Sequence, residues 1–269
     1  MTDISVVPRH RDTPHGLLAD RAYRELRDRL VTLRIAPGAP IDEDLIGREL
    51  EMGRTPVREA IKRLALENLV TVFPRRGTFA SDINITDLAH ISDVRAQLEG
   101  HAAYRAAERI TDAQREELTG LLDELHASRG TDEPEAPSGA ADHQTKAPPS
   151  GAADHPTKAP PSGAADHPTK APPSGAADSP EALMDLDARV HRFIYRCAAN
   201  PFLEETLGRY FNLSLRIWYL VIDRLPHLFA RVHEHEDVLL AISAGDAERA
   251  RDILVAHIAT FEREIRAVL

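Results

Sequence analysis

Apolar residues three and four apart run through Leu18, Ala22, Leu26, Leu30 and Leu33, which predicts a first helix starting at Leu17. The segment "RIAPGAPI" breaks it with two prolines and a glycine. A short second helix follows, with Asp42 in the N-cap position and Leu45, Ile46 and Leu50 facing inward. In "RTPVREAIKRLALENL" the residues Val57, Ile61 and Leu64 share one face, which predicts a third helix from near Thr55. The spacing then changes to two short β-runs, Val70–Phe73 and Thr78–Ala80, joined by Pro74, Arg75, Arg76 and Gly77. Everything after residue 84 reads as helix. A long Ala-rich helix has Thr86 as its cap, and the next runs from a Thr111 cap to Gly130. Helices resume near Ser179-Pro180, with breaks at Asn200-Pro201, Leu225-Pro226 and Gly245.

The two helical stretches are separated by a tandem repeat, "SGAADHPTKAPP", whose serines are Ser138, Ser150, Ser162 and Ser174. Its Pro, Gly, Ala and isolated charges offer nothing to bury, so it is expected to be a disordered linker inside one domain. Its histidines, His143, His155 and His167, can meet a metal, but composition favours solvated spacers. A long flexible insert between two helices adds little loop-closure entropy, so the surrounding fold is expected to survive it. The expected layout is a tail at 1–14, a small domain at 15–83 and a helical domain at 84–269 interrupted by the linker at 131–179. The fold class is mainly α: a winged helix-turn-helix of three helices and a two-stranded β-wing, then an all-α bundle of about six helices.

Charge sharpens this division. Net charge is −10, but residues 1–83 hold 14 Lys+Arg against 13 Asp+Glu, while the remainder holds 19 against 30. A polyanion partner therefore belongs to the N-terminal domain. The single cysteine, Cys197, forms no internal disulfide and suits a reducing compartment. No leader-like apolar segment opens the chain, and no run nears the about 18 apolar residues of a membrane span. A cytoplasmic, soluble protein is the expectation.

Residues 53–60, "GRTPVREA", place cations at a helix start. Pro56 suits the first turn, where a missing N–H costs nothing. Arg54, Arg58 and Lys62 drift down the face opposite the core, beside backbone N–H groups with their own positive field. Such a row suits phosphate contacts and bidentate arginine readout of guanine in a major groove. A solvated face with arginines paired to nearby acids is the alternative. The order helix, turn, helix, ribbon favours the groove reading, with Arg75 and Arg76 at the wing tip reaching phosphates or a minor groove and Gly77 permitting the turn.

In the helical domain, polar residues sit on apolar stripes. Leu183, Asp187, Val190, Ile194 and Cys197 share a face, with His191 one turn after Asp187. Val232, His235, Leu239 and Ile242 share another, which leaves His233 off the stripe. Ala250, Ile253, His257 and Phe261 share a third. One carboxylate and three imidazoles entering one interior make a set for a divalent metal with open positions. Each histidine alone is as well explained by a carbonyl partner in the core. Arg95 lies on the stripe Ile91, Arg95, Leu98, Ala102 and wants a carboxylate. Glu99, one turn on, can supply it, or a small ligand can. A rival reading is a metal-assisted hydrolase, for which no general base stands out beyond Glu99 and Glu236.

The segment "LRIAPGAPIDEDLIGRELEMGRTPVREAIKRLALENLVTVFPRRGTFAS" resembles the DNA-binding domain of the GntR family of bacterial transcriptional regulators. The segments "DVRAQLEGHAAYRAAERI", "DLDARVHRFIYRCAANP" and "EHEDVLLAISAGDAERARDILVAHI" resemble the FCD ligand-binding domain of its FadR subfamily. The resemblance implies DNA contacts from Arg54, Arg58, Thr55 and Gly77, metal ligands Asp187, His191, His235 and His257 with zinc first among the candidates, and effector contact from Arg95. It also implies a homodimer on a pseudo-palindromic double-stranded operator, a small carboxylate effector and a regulator, a repressor rather than an enzyme. The chain departs from the pattern at Gly53, where relatives carry Ser or Thr, and at "DED", where a basic residue is common.

Overall fold

The computed structural model describes residues 14–129, 179–225 and 228–269. The expected tail and repeat linker, with Gly130, Pro226 and the three repeat histidines, lie outside these residues, except that Pro14, expected in the tail, opens the first helix three residues before Leu17, and Ser179 caps another. The N-terminal unit contains α1 (Pro14–Val31), α2 (Glu43–Glu49), α3 (Arg54–Leu66), β1 (Val70–Phe73) and β2 (Gly77–Ala80). The helical half contains α4 (Asp87–Arg109), α5 (Asp112–Arg129), α6 (Pro180–Cys197), α7 (Pro201–Val221), α8 (Leu228–His233), α9 (His235–Ala244) and α10 (Ala247–Val268). A single 3₁₀ turn, Ile222–Arg224, prolongs α7. Among the described residues, six helices of the bundle have 10 residues or more, and α8 adds a short one of 6.

The small domain closes over Ala22, Leu26, Leu30, Val57, Ala60, Ile61, Leu64 and Leu69, all fully or nearly buried. Burial of such a stripe is the main source of helix stability. Around it, Tyr23 donates to Glu67 at 2.8 Å and Arg63 meets Asp20 at 2.5 Å, tying α1 to α3. Asp42 caps α2 as expected, its carboxylate accepting from the Asp44 and Leu45 N–H groups. Leu45 corrects the expectation: it is exposed, because only Ile46 and Leu50, four residues apart, share the inward face. Leu18 is also exposed and Leu33 lies beyond α1 with φ 57°, so the buried stripe is shorter than its periodicity suggests.

The wing is an antiparallel hairpin with Val70 opposite Ala80 and Phe73 opposite Gly77. Its tip needs left-handed backbone at Arg75 (φ 64°) and Gly77 (φ 111°), a conformation glycine adopts freely. The strand β2 is one residue longer than expected.

Helix termini follow local chemistry. Thr111 and Gln114 form a reciprocal capping box, each backbone N–H bonded to the other's side chain. Thr86 makes no side-chain cap; Asn84 receives both its N–H and its hydroxyl instead. Asn200 caps α7, and Gly245 ends α9 with φ 75°.

Helix α4 is the axis of the bundle. It packs along α10 and also touches α6, α7 and α9. Gly100 lets α4 and α10 approach closely: a Cβ there would lie 2.7 Å from Val255 Cγ2 and 3.2 Å from Arg251 Cγ. No helix among the described residues is long and apolar enough to cross a membrane.

The two halves meet at α7. Arg209 Nη2 donates to the Leu66 carbonyl at the end of α3 at 2.6 Å, and Arg216 Nη2 donates to the Ser81 carbonyl just past the wing at 2.5 Å.

Gly100→Val is expected to destabilise the fold by about 1–3 kcal/mol through overpacking. Val255→Ala in the same chain should restore part of that loss in thermal denaturation; no loss in the single variant would show that α10 can move aside.

Candidate metal centre and nucleic-acid interface

The cations expected at the start of α3 do lie on its outer face. Pro56, Val57, Ala60, Ile61 and Leu64 are buried, and Arg54, Thr55, Arg58 and Lys62 are exposed. Each of the three cations has an acidic neighbour. Arg54 donates from Nη2 to Asp44 at 2.7 Å and from Nε to the other oxygen of the same carboxylate. Arg58 donates from Nε to Glu43 at 2.7 Å, and Lys62 meets Glu59 at 2.8 Å. These are surface pairs: the Arg54 and Arg58 side chains remain 65% and 58% exposed. A polyanion can therefore reach both, and screened pairs of this kind exchange partners readily. At the wing tip Arg75 and Arg76 are exposed and, among the described residues, have no acidic partner; Arg76 lies over the Phe73 ring at 5.8 Å.

Inside the bundle, Asp187 and His191 from α6, His235 from α9 and His257 from α10 are all buried. Each offers a ligand atom within 4.8 Å of the others. One turn of α6 separates Asp187 from His191, so both project from one face. Every imidazole is anchored at its outer nitrogen. His191 Nδ1 bonds the Glu99 carboxylate at 2.6 Å, His235 Nδ1 the Val232 carbonyl at 2.9 Å, and His257 Nδ1 the Glu234 carboxylate at 3.0 Å. An acceptor at Nδ1 places the proton there and leaves a lone pair at Nε2. The His191 and His235 Nε2 atoms then face one another at 3.1 Å, with Asp187 Oδ1 3.9 and 3.7 Å away. Asp187 Oδ2 is buried with no hydrogen-bond partner. Converging lone pairs around an unpaired carboxylate oxygen leave a cation's place among them, and this donor set suits a borderline divalent ion. The electrostatics agree. Burial, then the neighbouring His257 and His191, pushes His235 well below its ordinary range, so it is neutral and able to ligate. Burial raises Asp187, against the pull of His191 and His257.

Arg95 does not present its whole fork to a cavity. It is 1% exposed and donates from Nε to Glu99 Oε1 at 2.5 Å, while Glu99 Oε2 takes the His191 bond. Burial alone would raise Glu99, but Arg95 and His191 overcome it and hold the carboxyl down at about 2. The Arg95 guanidinium carbon lies 4.9 Å from the Phe211 ring centre and 5.0 Å from that of Trp218, both on α7. Its Nη2 has no hydrogen-bond partner.

Two members of this arrangement were not evident from sequence. Spacing offers Glu99 as a partner for Arg95 but cannot show it as the anchor of His191, 92 positions away. Glu234 carries no signal in the sequence, because it sits at the junction of α8 and α9, where no stripe continues. His233 corrects the expectation that it lies off the interior: it is buried and bonds the Leu125 carbonyl through Nε2 at 2.8 Å. Neither carboxylate considered as a hydrolytic base is poised for that work. Glu99 is committed to Arg95 and His191, and Glu236 meets His126 at 3.0 Å.

One chain thus joins an exposed cationic helix and wing to a helical bundle that buries one aspartate and three histidines around a common point. Comparison with known proteins gives the family. Residues 18–80 match the bacterial regulatory proteins of the gntR family, and residues 90–146 and 170–260, more than half of the chain, match the FCD domain. The chain belongs to the gntR family of bacterial regulatory proteins and carries an FCD domain as its helical half. The HTH-type transcriptional repressor RspR of Escherichia coli (strain K12) is 37% identical over 92 residues, 34% of this chain and 40% of that protein. The gluconate operon transcriptional repressor of Bacillus subtilis (strain 168) is 32% identical over 108 residues, 40% of this chain and 44% of that one. The chain thus spans about two-fifths of the length of these curated relatives. The solved structure of E. coli McbR/YncC superposes with a TM-score of 0.66 at 19% identity, covering 93% of this chain and 97% of that one; this likeness concerns the fold.

Replacing Glu99 by Ala is expected to cost about 3–5 kcal/mol, since it leaves the Arg95 charge buried and alone. Arg95→Met together with Glu99→Leu should recover the part due to the lone charge, while the His191 Nδ1–H left without its acceptor keeps the rest. Because Glu99 is depressed from 4.5 to about 2, its contribution is complete above pH 4.5 and disappears as pH falls through 2. Urea unfolding across this range should lose stability more steeply in the native chain than in the double variant.

Proposed function

We propose that this protein is a DNA-binding transcriptional regulator, a repressor, whose operator affinity responds to a small carboxylate bound beside a divalent metal. The observation that carries the reading is the pairing of two features in one chain. Arg54, Thr55, Arg58 and Lys62 on α3, with Arg75, Arg76 and Gly77 at the wing, form an exposed cationic face. Asp187, His191, His235 and His257 form a buried donor set whose outer nitrogens are already oriented. Relatives named as transcriptional repressors support the sign of the regulation.

The metal, zinc first among candidates, would supply a Lewis-acidic anchor with open positions for carboxylate oxygens. Arg95, through the Nη2 that has no protein partner, would supply a hydrogen bond to the same ligand. Helix α7 supports a route outward. Its Phe211 and Trp218 rings lie against Arg95, while its Arg209 and Arg216 hold carbonyls at the end of α3 and just past the wing. A ligand that shifts Arg95 would bias α7 and hence the two DNA-reading elements, by its differential affinity for the two arrangements. Two copies would place their α3 helices in successive major grooves of a pseudo-palindromic operator in cytoplasmic DNA.

Genomic footprinting of bound sites tests the reading, and sites that cluster upstream of genes for carboxylate metabolism are the expected result. Arg54→Ala and Arg58→Ala should each weaken operator binding roughly tenfold to a hundredfold with helicity intact; unchanged gel shifts would remove them from the interface. His235→Ala should lose stoichiometric metal while keeping its helical signal, as elemental analysis and circular dichroism will show. Metal retained at full stoichiometry would refute that ligand.

A further inference from the structure

The acidic neighbours of the recognition-helix arginines are placed in a particular way. Asp44 takes Arg54 by one edge only, its two oxygens bonded to Nε and Nη2. A guanidinium carries five N–H groups in a rigid fork, so the outer edge, Nη1 with the second hydrogen of Nη2, stays available. Glu43 likewise takes Arg58 through Nε. Both arginines remain more than half exposed while held, whereas the acids are 44% and 27% exposed.

The acids are themselves fixed. They occupy the first turn of α2, where Asp42 Oδ1 accepts from Asp44 N–H at 2.8 Å and Leu45 N–H at 3.1 Å. Helix α3, by contrast, starts at Gly53, which provides no side-chain cap. The first turn of α3 is therefore tethered to α2 through Arg54–Asp44, one helical position after an uncapped start. Bidentate readout of guanine O6 and N7 uses two parallel N–H groups of one guanidinium edge. An arginine already clamped by its inner edge gives up less side-chain freedom on entering the groove than a free one.

We propose that Asp44 and Glu43 are positioning residues for sequence readout: they clamp Arg54 and Arg58 by the Nε side and present the outer N–H edge of each to a base. This rests on the DNA-binding reading above. The same carboxylates repel phosphate, so they weaken sequence-independent binding while they sharpen the sequence-dependent part. Neutralising a carboxylate therefore tightens random DNA more than preferred DNA, and that difference separates the clamp from a mere charge.

The test uses the full chain and its Asp44→Asn, Glu43→Gln and doubly substituted forms. The probes are an unselected random-sequence duplex and a duplex that the native chain enriches from a random pool, each measured across a salt series. For random duplex, each substitution should tighten binding and steepen the log–log salt dependence by about one. For enriched duplex, tightening should lag, so that the preference ratio falls about tenfold in the double variant. Repeated selection should show a relaxed base choice at the positions Arg54 and Arg58 read. In an Arg54→Ala background, Asp44→Asn should leave the ratio unchanged. Equal tightening on both probes, or a ratio that falls just as far without Arg54, overturns the proposal while regulator function stands. A native chain that enriches no sequence from the pool removes the DNA-binding reading itself. Helicity by circular dichroism confirms that each variant is folded.

Discussion

The Glu99 carboxylate is the joint on which the helical half depends. One oxygen neutralises the buried Arg95 and the other fixes the His191 ring. Without it, the interior would hold an unpaired guanidinium and an imidazole free to choose its tautomer. Desolvating three such groups is costly singly, and the arrangement is stable because each satisfies another. The site's chemistry follows from that satisfaction. His191, His235 and His257 each spend their outer nitrogen on an acceptor, so their inner nitrogens have nothing left to offer but lone pairs.

The placement of this joint on α4 also matters. Helix α4 begins soon after the wing, carries Arg95 and Glu99, and packs along α10, which carries His257. Gly100, one residue beyond Glu99, permits that close packing. The same few turns therefore set the helix spacing and the orientation of a potential ligand shell, and neither can be altered without the other.

Much of this could be read from sequence because helical periodicity is a local property. Asp187 and His191 share a face by their spacing alone, and His235 and His257 fall on apolar stripes. Thr111 with Gln114 is a capping signature that the structure completes. What periodicity cannot show is the contact between stripes. That Glu99 would meet His191 is a tertiary fact, and Glu234 sits at a helix junction where no pattern runs. The same limit applies to Leu45: a seven-residue helix has too few turns for its inward face to be distinguished from its flank. Thr86 makes no cap because its backbone is helical rather than extended and its hydroxyl donates to the Asn84 amide oxygen two residues earlier. The Asp44 and Glu43 pairs with the α3 arginines were foreseen only as a generic alternative, since the relative placement of α2 and α3 decides which acid meets which base.

Arg216 carries a last consequence. It is 2% exposed, its Nε lacks a partner, and burial lowers its pKa against the pull of Asp82. Its one hydrogen bond among the described residues is to a neutral carbonyl across the junction between the two halves. Parting those halves would return the cation to water, so its hydration pulls against the junction that the Arg209 and Arg216 hydrogen bonds span. Burial of that cation therefore opposes the very contact it makes, and a neutral residue of similar length at 216 would remove the opposition.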